Sequence, residues 1–138
     1  MYTAGMDGEA SKRAVERYFE AMRAGAPELP DLLTDDVTWW VPEASPLGGT
    51  HTGKPAVLAL MASGTDLYDP AVPLEITVRS MIAEGSHVAV QLVIDARTAR
   101  GEPYHNDYHF AFEVRDGKIA AVREYLDTLY VQRKLFAD

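Results

Sequence analysis

The chain has no cysteine. That absence excludes disulfides, a thiol nucleophile and thiolate metal sites. It is also short of positive charge. Thirteen Lys and Arg stand against 21 Asp and Glu, a formal net charge of −8. Nucleic-acid binding needs a positive patch facing the phosphates, so no nucleic-acid partner is expected, and an anionic membrane is disfavoured for the same reason. No apolar run reaches the length of a membrane span, and the N-terminal MYTAGMDGEASKR lacks the apolar core of a signal peptide. The expected location is cytoplasmic. Glycines are present in PEASPLGGTHTG (residues 42–53), but at turn spacing rather than phosphate-cradle spacing.

What remains is an ordinary globular composition. At 138 residues the chain is long enough for one domain over 1–138 with a sizeable core, with residues 1–8 read as a loose tail. Ser11 is placed to cap a helix whose apolar stripe is Ala14, Val15, Tyr18, Phe19 and Met22, ended by Gly25 and Pro27. Tyr18 could present its hydroxyl to a cavity or be plain core. A short helical turn is expected at 30–33. Residues 37–41, VTWWV, read as a strand stopped by Pro42, with Trp39 and Trp40 on opposite faces so that one of them reaches the interior. Residues 42–53 read as a loop carrying an exposed His51. Pro55 suits the start of a second helix that buries Val57, Leu58 and Met61 and runs out near Gly64. From Pro73 onward the pattern alternates. Leu74, Ile76 and Val78 mark one strand, and Val88, Val90, Leu92 and Ile94 mark the next, whose other face holds Gln91, Asp95 and Arg97. Helices first, then a long meander, give an α+β layout: a curved, mostly antiparallel sheet with helices over its concave face.

Residues 104–136, YHNDYHFAFEVRDGKIAAVREYLDTLYVQRKLF, carry most of the candidate chemistry. Asp116-Gly117 between alternating apolar and aromatic residues is a strong two-residue hairpin signal. Counting outward from an Arg115–Lys118 pair puts Tyr108 opposite Tyr125 and Asn106 opposite Asp127. Period-2 alternation then groups Asn106, Tyr108, Phe110, Phe112 and Val114 on one face with Ile119, Ala121, Arg123, Tyr125 and Asp127. His105, Asp107, His109 and Glu113 fall on the other, with Glu124 opposite. The phenylalanine face has the greater apolar area to remove from water, so it is expected to turn inward and to carry Asp127 to the wet end of an aromatic wall. A desolvated carboxylate there is a candidate general base, or else a cap for the turn that follows. A bulge in the loop would shift the partners by one.

Two motifs carry a family resemblance: VTWWVPEASPLGGTHTG (37–53) and VRDGKIAAVREYLDT (114–128). They resemble the strand-loop and last-strand signatures of SnoaL-like domains in the nuclear transport factor two-like superfamily, which includes ketosteroid isomerases, polyketide cyclases, scytalone dehydratase and limonene epoxide hydrolase. The resemblance implies a cone-shaped α+β barrel with a pocket between sheet and helices, no metal, no organic cofactor and a homodimer formed through the sheet. It implies an acid/base role for Asp127, a pocket tyrosine at Tyr18, and a histidine at His105 or His109. For the epoxide-hydrolase branch, Glu124 stands near the last-strand carboxylate, and Asp95 and Arg97 stand two apart in reversed order. An ion pair is the structural reading of those two. VTWWV offers Trp39 or Trp40 where a ketosteroid isomerase has its base.

Three functions remain open. One is a cofactor-free enzyme moving a proton on a small, largely apolar carbonyl compound, with Asp127 as base and Tyr125, Tyr108 and Asn106 as donors near Phe110. The second is water-adding or hydrolytic chemistry with Glu124 or Asp127 and His109, the water being oriented by Asp95 and Arg97. The third is a non-catalytic module that binds a small hydrophobic molecule.

Overall fold

The computed structural model describes residues 7–137. Helix α1 (Gly8–Ala24) is capped by Asp7, whose carboxylate accepts from the Glu9 amide, and ends at Gly25 in the left-handed conformation that glycine adopts without penalty. Asp7 and Gly8 therefore belong to the helix rather than to a tail, and residues 1–6 lie outside the described residues. Ser11 is not the cap. It is buried one turn further in, and its hydroxyl donates to the Gly85 carbonyl at 2.7 Å, pinning the helix to the first hairpin of the meander.

After a 3₁₀ turn (Leu29–Leu32) come strands β1 (Leu33–Val41) and β2 (Gly49–Thr52), helix α2 (Lys54–Thr65), strands β3 (Glu75–Glu84), β4 (His87–Arg97), β5 (Pro103–Arg115) and β6 (Lys118–Leu126), and a C-terminal helical segment of α3 (Thr128–Val131) and a π turn (Gln132–Phe136). Strand β1 starts earlier than its apolar run suggests. Residues 49–52, expected as loop, form an edge strand because they pair antiparallel with residues 38–41 of β1.

The six strands form one mixed sheet in the order β2-β1-β6-β5-β4-β3. The meander β3–β6 is antiparallel, and β1 enters beside β6 in parallel. The sheet is curved and not closed into a complete barrel. Its concave face supplies Trp39, Val88, Val90, Leu92, Phe110, Phe112 and Val122 to the core, against Val15, Tyr18 and Phe19 of α1 and Val57 of α2. Phe110 and Phe112 lie edge-on to Phe19 at 6.4 and 5.7 Å, a geometry in which ring edges meet ring faces.

Candidate active site

One β-bulge decides what faces the interior. The hairpin turn is where the sequence places it, with Arg115 opposite Lys118 and Val114 opposite Ile119. The next pair is Glu113 with Ala121, so Ala120 is an extra residue on β6. Beyond it every β6 side chain points to the opposite face from the one simple alternation assigns. Val122, Glu124 and Leu126 turn inward, opposite Phe112, Phe110 and Tyr108, while Arg123 and Tyr125 turn outward beside Ala111 and His109. The energetic reason is local. Both Ile119 and Val122 are buried, and a regular strand cannot put residues three apart on one face.

The bulge moves two candidates, Tyr125 and Asp127, off the inner face, while His109, Asp95 and Arg97 keep the face that alternation gives them, away from the core. Asp127 follows the strand and is exposed, and its carboxylate caps α3 by accepting from the Tyr130 amide at 3.1 Å. Tyr125 and His109 lie on the outer face. Asp95 contacts His105 at 2.5 Å, both exposed, and Arg97 donates to the Gly101 carbonyl in the neighbouring turn. Asp95 and Arg97 therefore form no pair with each other. His109 and Glu124, joined in the water-chemistry reading, are on opposite faces.

Glu124 is the carboxylate that the fold brings inside. It lines a cavity of about 140 Å³ between the concave face, α2 and the C-terminal segment. Apolar walls come from Val41 and Leu126 of the sheet, Leu60 and Met61 of α2, and Leu135 and Phe136 of the π turn. Trp39 Nε1 donates to Glu124 Oε1 at 2.9 Å, the one hydrogen bond given to this carboxyl among the described residues, which leaves Oε2 free for a ligand. Removal from water raises the Glu124 pKa, and the indole hydrogen bond offsets part of that rise. Glu124 is the only acidic group among the described lining residues.

A group of tyrosines completes the polar side. Asn106 is buried, and its amide orientation is fixed because Oδ1 accepts from the Asp107 amide at 2.9 Å. Its Nδ2 therefore donates to the Tyr104 hydroxyl at 3.0 Å, and Tyr104 and Tyr108 share a 2.6 Å hydroxyl contact. The Tyr68 ring lies edge-on to Tyr104 at 5.5 Å, beside the same pair. Burial pushes all three phenols upward, so they remain protonated donors near neutral pH. Tyr68 and Tyr108 line the cavity. Asn106 donates into this cluster, either hydroxyl can donate in the Tyr104–Tyr108 contact, and Tyr68 and Tyr108 bring phenolic hydroxyls to the cavity wall.

The other candidates are structural. Tyr18 is core, its ring against Trp39 and Phe112 and its hydroxyl toward Met22 Sδ at 3.6 Å, with burial raising its pKa. Phe110 stacks under Tyr108 with ring centroids 5.8 Å apart. Trp40 faces outward, donates to Glu43 and lies beneath the Arg123 guanidinium at 4.1 Å. His51 braces its own loop through the Leu47 carbonyl at 2.8 Å. Tyr68, in the cavity wall, and Tyr104, against the Tyr108 hydroxyl, were not among the sequence candidates. Tyr104 could have been found by extending the Asn106–Tyr108 alternation back one step. Tyr68 sits in an irregular segment after α2 that carries no periodic signal.

Solved structures share this architecture. A nuclear transport factor two-like protein from Burkholderia xenovorans LB400 is 29% identical, with a TM-score of 0.78 over 95% of this chain and 99% of that one. A SnoaL-like protein from Jannaschia sp. CCS1, provisionally designated a polyketide cyclase, has a TM-score of 0.78 at 18% identity, covering 97% and 99%. A Bacillus subtilis protein provisionally designated an isomerase has a TM-score of 0.75 at 20% identity, covering 91% and 92%. The fold class is nuclear transport factor two-like. Within it, the SnoaL-like domain family matches residues 15–122, and the chain belongs to that family. No curated protein matches the chain significantly.

Proposed function

We propose that this protein is an enzyme that moves a proton on a small carbonyl compound, with Glu124 as the acid/base and Tyr108, supported by Tyr68, as the donor to the carbonyl oxygen. The observation that carries this reading is the single desolvated carboxyl in a mostly apolar cavity whose wall also holds the Tyr68 and Tyr108 phenols. In the step, Glu124 takes a proton from the carbon next to the carbonyl. The C–H electron pair becomes the new C=C bond, and the carbonyl π pair moves onto oxygen, where the Tyr108 proton meets the developing charge. Where a C=C is conjugated with the enolate, return of the proton from Glu124 to its far carbon shifts the double bond and isomerises the compound. Where a second carbonyl lies within the same molecule, the enolate carbon bonds to its carbon, that C=O π pair moves onto oxygen, and the proton held by Glu124 neutralises the alkoxide, which cyclises the compound. A placed base typically contributes 10²- to 10⁴-fold, and fixed donors in a dry site contribute several kcal/mol, about 3 for one such donor.

The test is deuterium uptake from solvent into the α positions of small ketones, followed by NMR. The protein should accelerate uptake, Glu124→Gln should lose at least about 100-fold of that acceleration, and Asp127→Asn should not. Equal rates for Glu124→Gln and the parent protein would overturn the assignment. Saturable binding without exchange would favour the binding-module reading. The chemistry proposed for these residues calls on no cofactor.

A homodimer is part of the proposal. The outer face offers a row of Ile82, Ala89, Ala111, Arg123 and Trp40 across five strands, with exposed Ile82 and Tyr125 beside small alanines. Sedimentation should give twice the chain mass, and Ala111→Arg should give the monomer.

A further inference from the structure

The cavity around Glu124 is about 140 Å³, and its polar lining is one carboxyl, the Trp39 indole, the Tyr68 and Tyr108 phenols and the Ser45 hydroxyl. We infer that its substrate is a neutral, monocyclic carbonyl compound of about six to ten non-hydrogen atoms, and that Met61 and Phe136 set this limit. The inference rests on the proton-transfer reading of the site and adds the class of compound it takes.

Size is the first argument. The cavity measures about 140 Å³. An apolar protein cavity of about 150 Å³ accommodates a benzene-sized molecule, whereas drug-sized ligands occupy about 300 to 1,000 Å³. One ring fills it; fused rings do not. The walls that close it come from two separate elements. Met61 projects from α2, while Phe136 belongs to the C-terminal π turn. That turn is itself tied down, because Arg100 donates to the Lys134 and Ala137 carbonyls and Lys134 contacts Glu102. The limit is therefore a property of packed structure.

Charge is the second. No cationic side chain is among the described lining residues, so an anionic ligand would meet Glu124 without compensation. A cation would pair with Glu124 but would offer no acceptor to the Tyr68 and Tyr108 hydroxyls in the cavity wall. A neutral carbonyl answers both groups: its oxygen accepts from the phenol, and its carbon-bound hydrogen faces the carboxyl.

The test titrates the full chain with a matched series, following the Trp39 indole N–H by NMR. Cyclohexanone is the single-ring probe, 2-decalone the two-ring probe and testosterone the four-ring probe, with cyclohexylamine and cyclohexanecarboxylate as the charged controls. Cyclohexanone should bind at least tenfold more tightly than each of the others. Met61→Ala, and independently Phe136→Ala, should bring 2-decalone to within about threefold of cyclohexanone; two variants guard against one misfolding. Equal or tighter binding of testosterone, the amine or the carboxylate, or no saturable binding of cyclohexanone, overturns the inference. Failure of the underlying reading looks different. Cyclohexanone would then bind with the expected selectivity but show no Glu124-dependent deuterium exchange. Glu124-dependent exchange on testosterone would instead sink the size limit and keep the proton chemistry.

Discussion

The two faces of the sheet hold similar inventories of titratable and aromatic residues and put them to different use. The concave face and the segment after α2 bring together one carboxyl, one indole and three phenols without counter-charge, where burial raises the pKa of Glu124 and of the phenols. The outer face carries the Asp95–His105 contact and Arg123, and an open depression lined by Arg79, Gln91, Asp107, His109 and Tyr125. That depression is larger, at about 330 Å³, but it lies open to water, so its groups stay hydrated and its size says little about binding. The lesson is that residue type alone does not make a site. Desolvation does, because it converts a modest charge interaction in water into a pKa shift and an unsatisfied donor into a demand on the ligand.

The sharpest way to break the comparison is to truncate matched aromatics on each face. Phe112→Ala removes a buried ring packed against Tyr18 and Phe19 and should cost about 3–5 kcal/mol in chemical denaturation, whereas Tyr125→Ala on the outer face should cost under about 1 kcal/mol for the monomer. Equal costs would mean that the outer face is as buried as the inner one in solution.

Next is chemistry. Glu124→Gln keeps an oxygen for the Trp39 donor and should reduce turnover by at least about 100-fold, while His109→Ala should stay within about twofold. A large loss for His109→Ala would bring back the water-chemistry reading.

Smaller is the effect of the tyrosine chain. Tyr108→Phe should lower kcat by about ten- to a hundredfold with little change in KM, since its hydrogen bond strengthens as charge develops. Tyr104→Phe acts only through Tyr108 and should lose less. A change confined to KM would make both merely ground-state contacts.

The subtlest is pH dependence. Glu124 has its folded-state pKa raised above the ordinary value of 4.5 by burial. A raised carboxyl pKa means the folded state holds the proton more tightly, so the contribution to stability is complete below about pH 4.5 and is lost as pH rises through the folded value. Relative to Glu124→Gln, the parent protein should therefore lose melting temperature across that window and remain lower above it. Parallel curves for the two would indicate a solvated carboxyl.

Much of this was legible in the residues. Period-2 alternation in 74–94, the Asp116-Gly117 turn and the helix stripe of 14–22 fix the meander and its helical cover, because side-chain direction along a regular element follows from backbone geometry alone. The two motifs shared with SnoaL-like domains point to the family for the same reason: they mark the turns and strand ends of that fold. The inward turn of Phe110, Phe112 and Tyr108 also followed from apolar area. What the sequence could not reveal was the extra residue at Ala120, since alanine suits either face and leaves no mark on the pattern. Only the tertiary structure decided it, by burying Ile119 and Val122 together against the same core, and that choice turned Glu124 in and left Asp127 to cap a helix. The Trp39–Glu124 hydrogen bond is likewise tertiary, because the two residues are 85 positions apart and meet only once the sheet has formed.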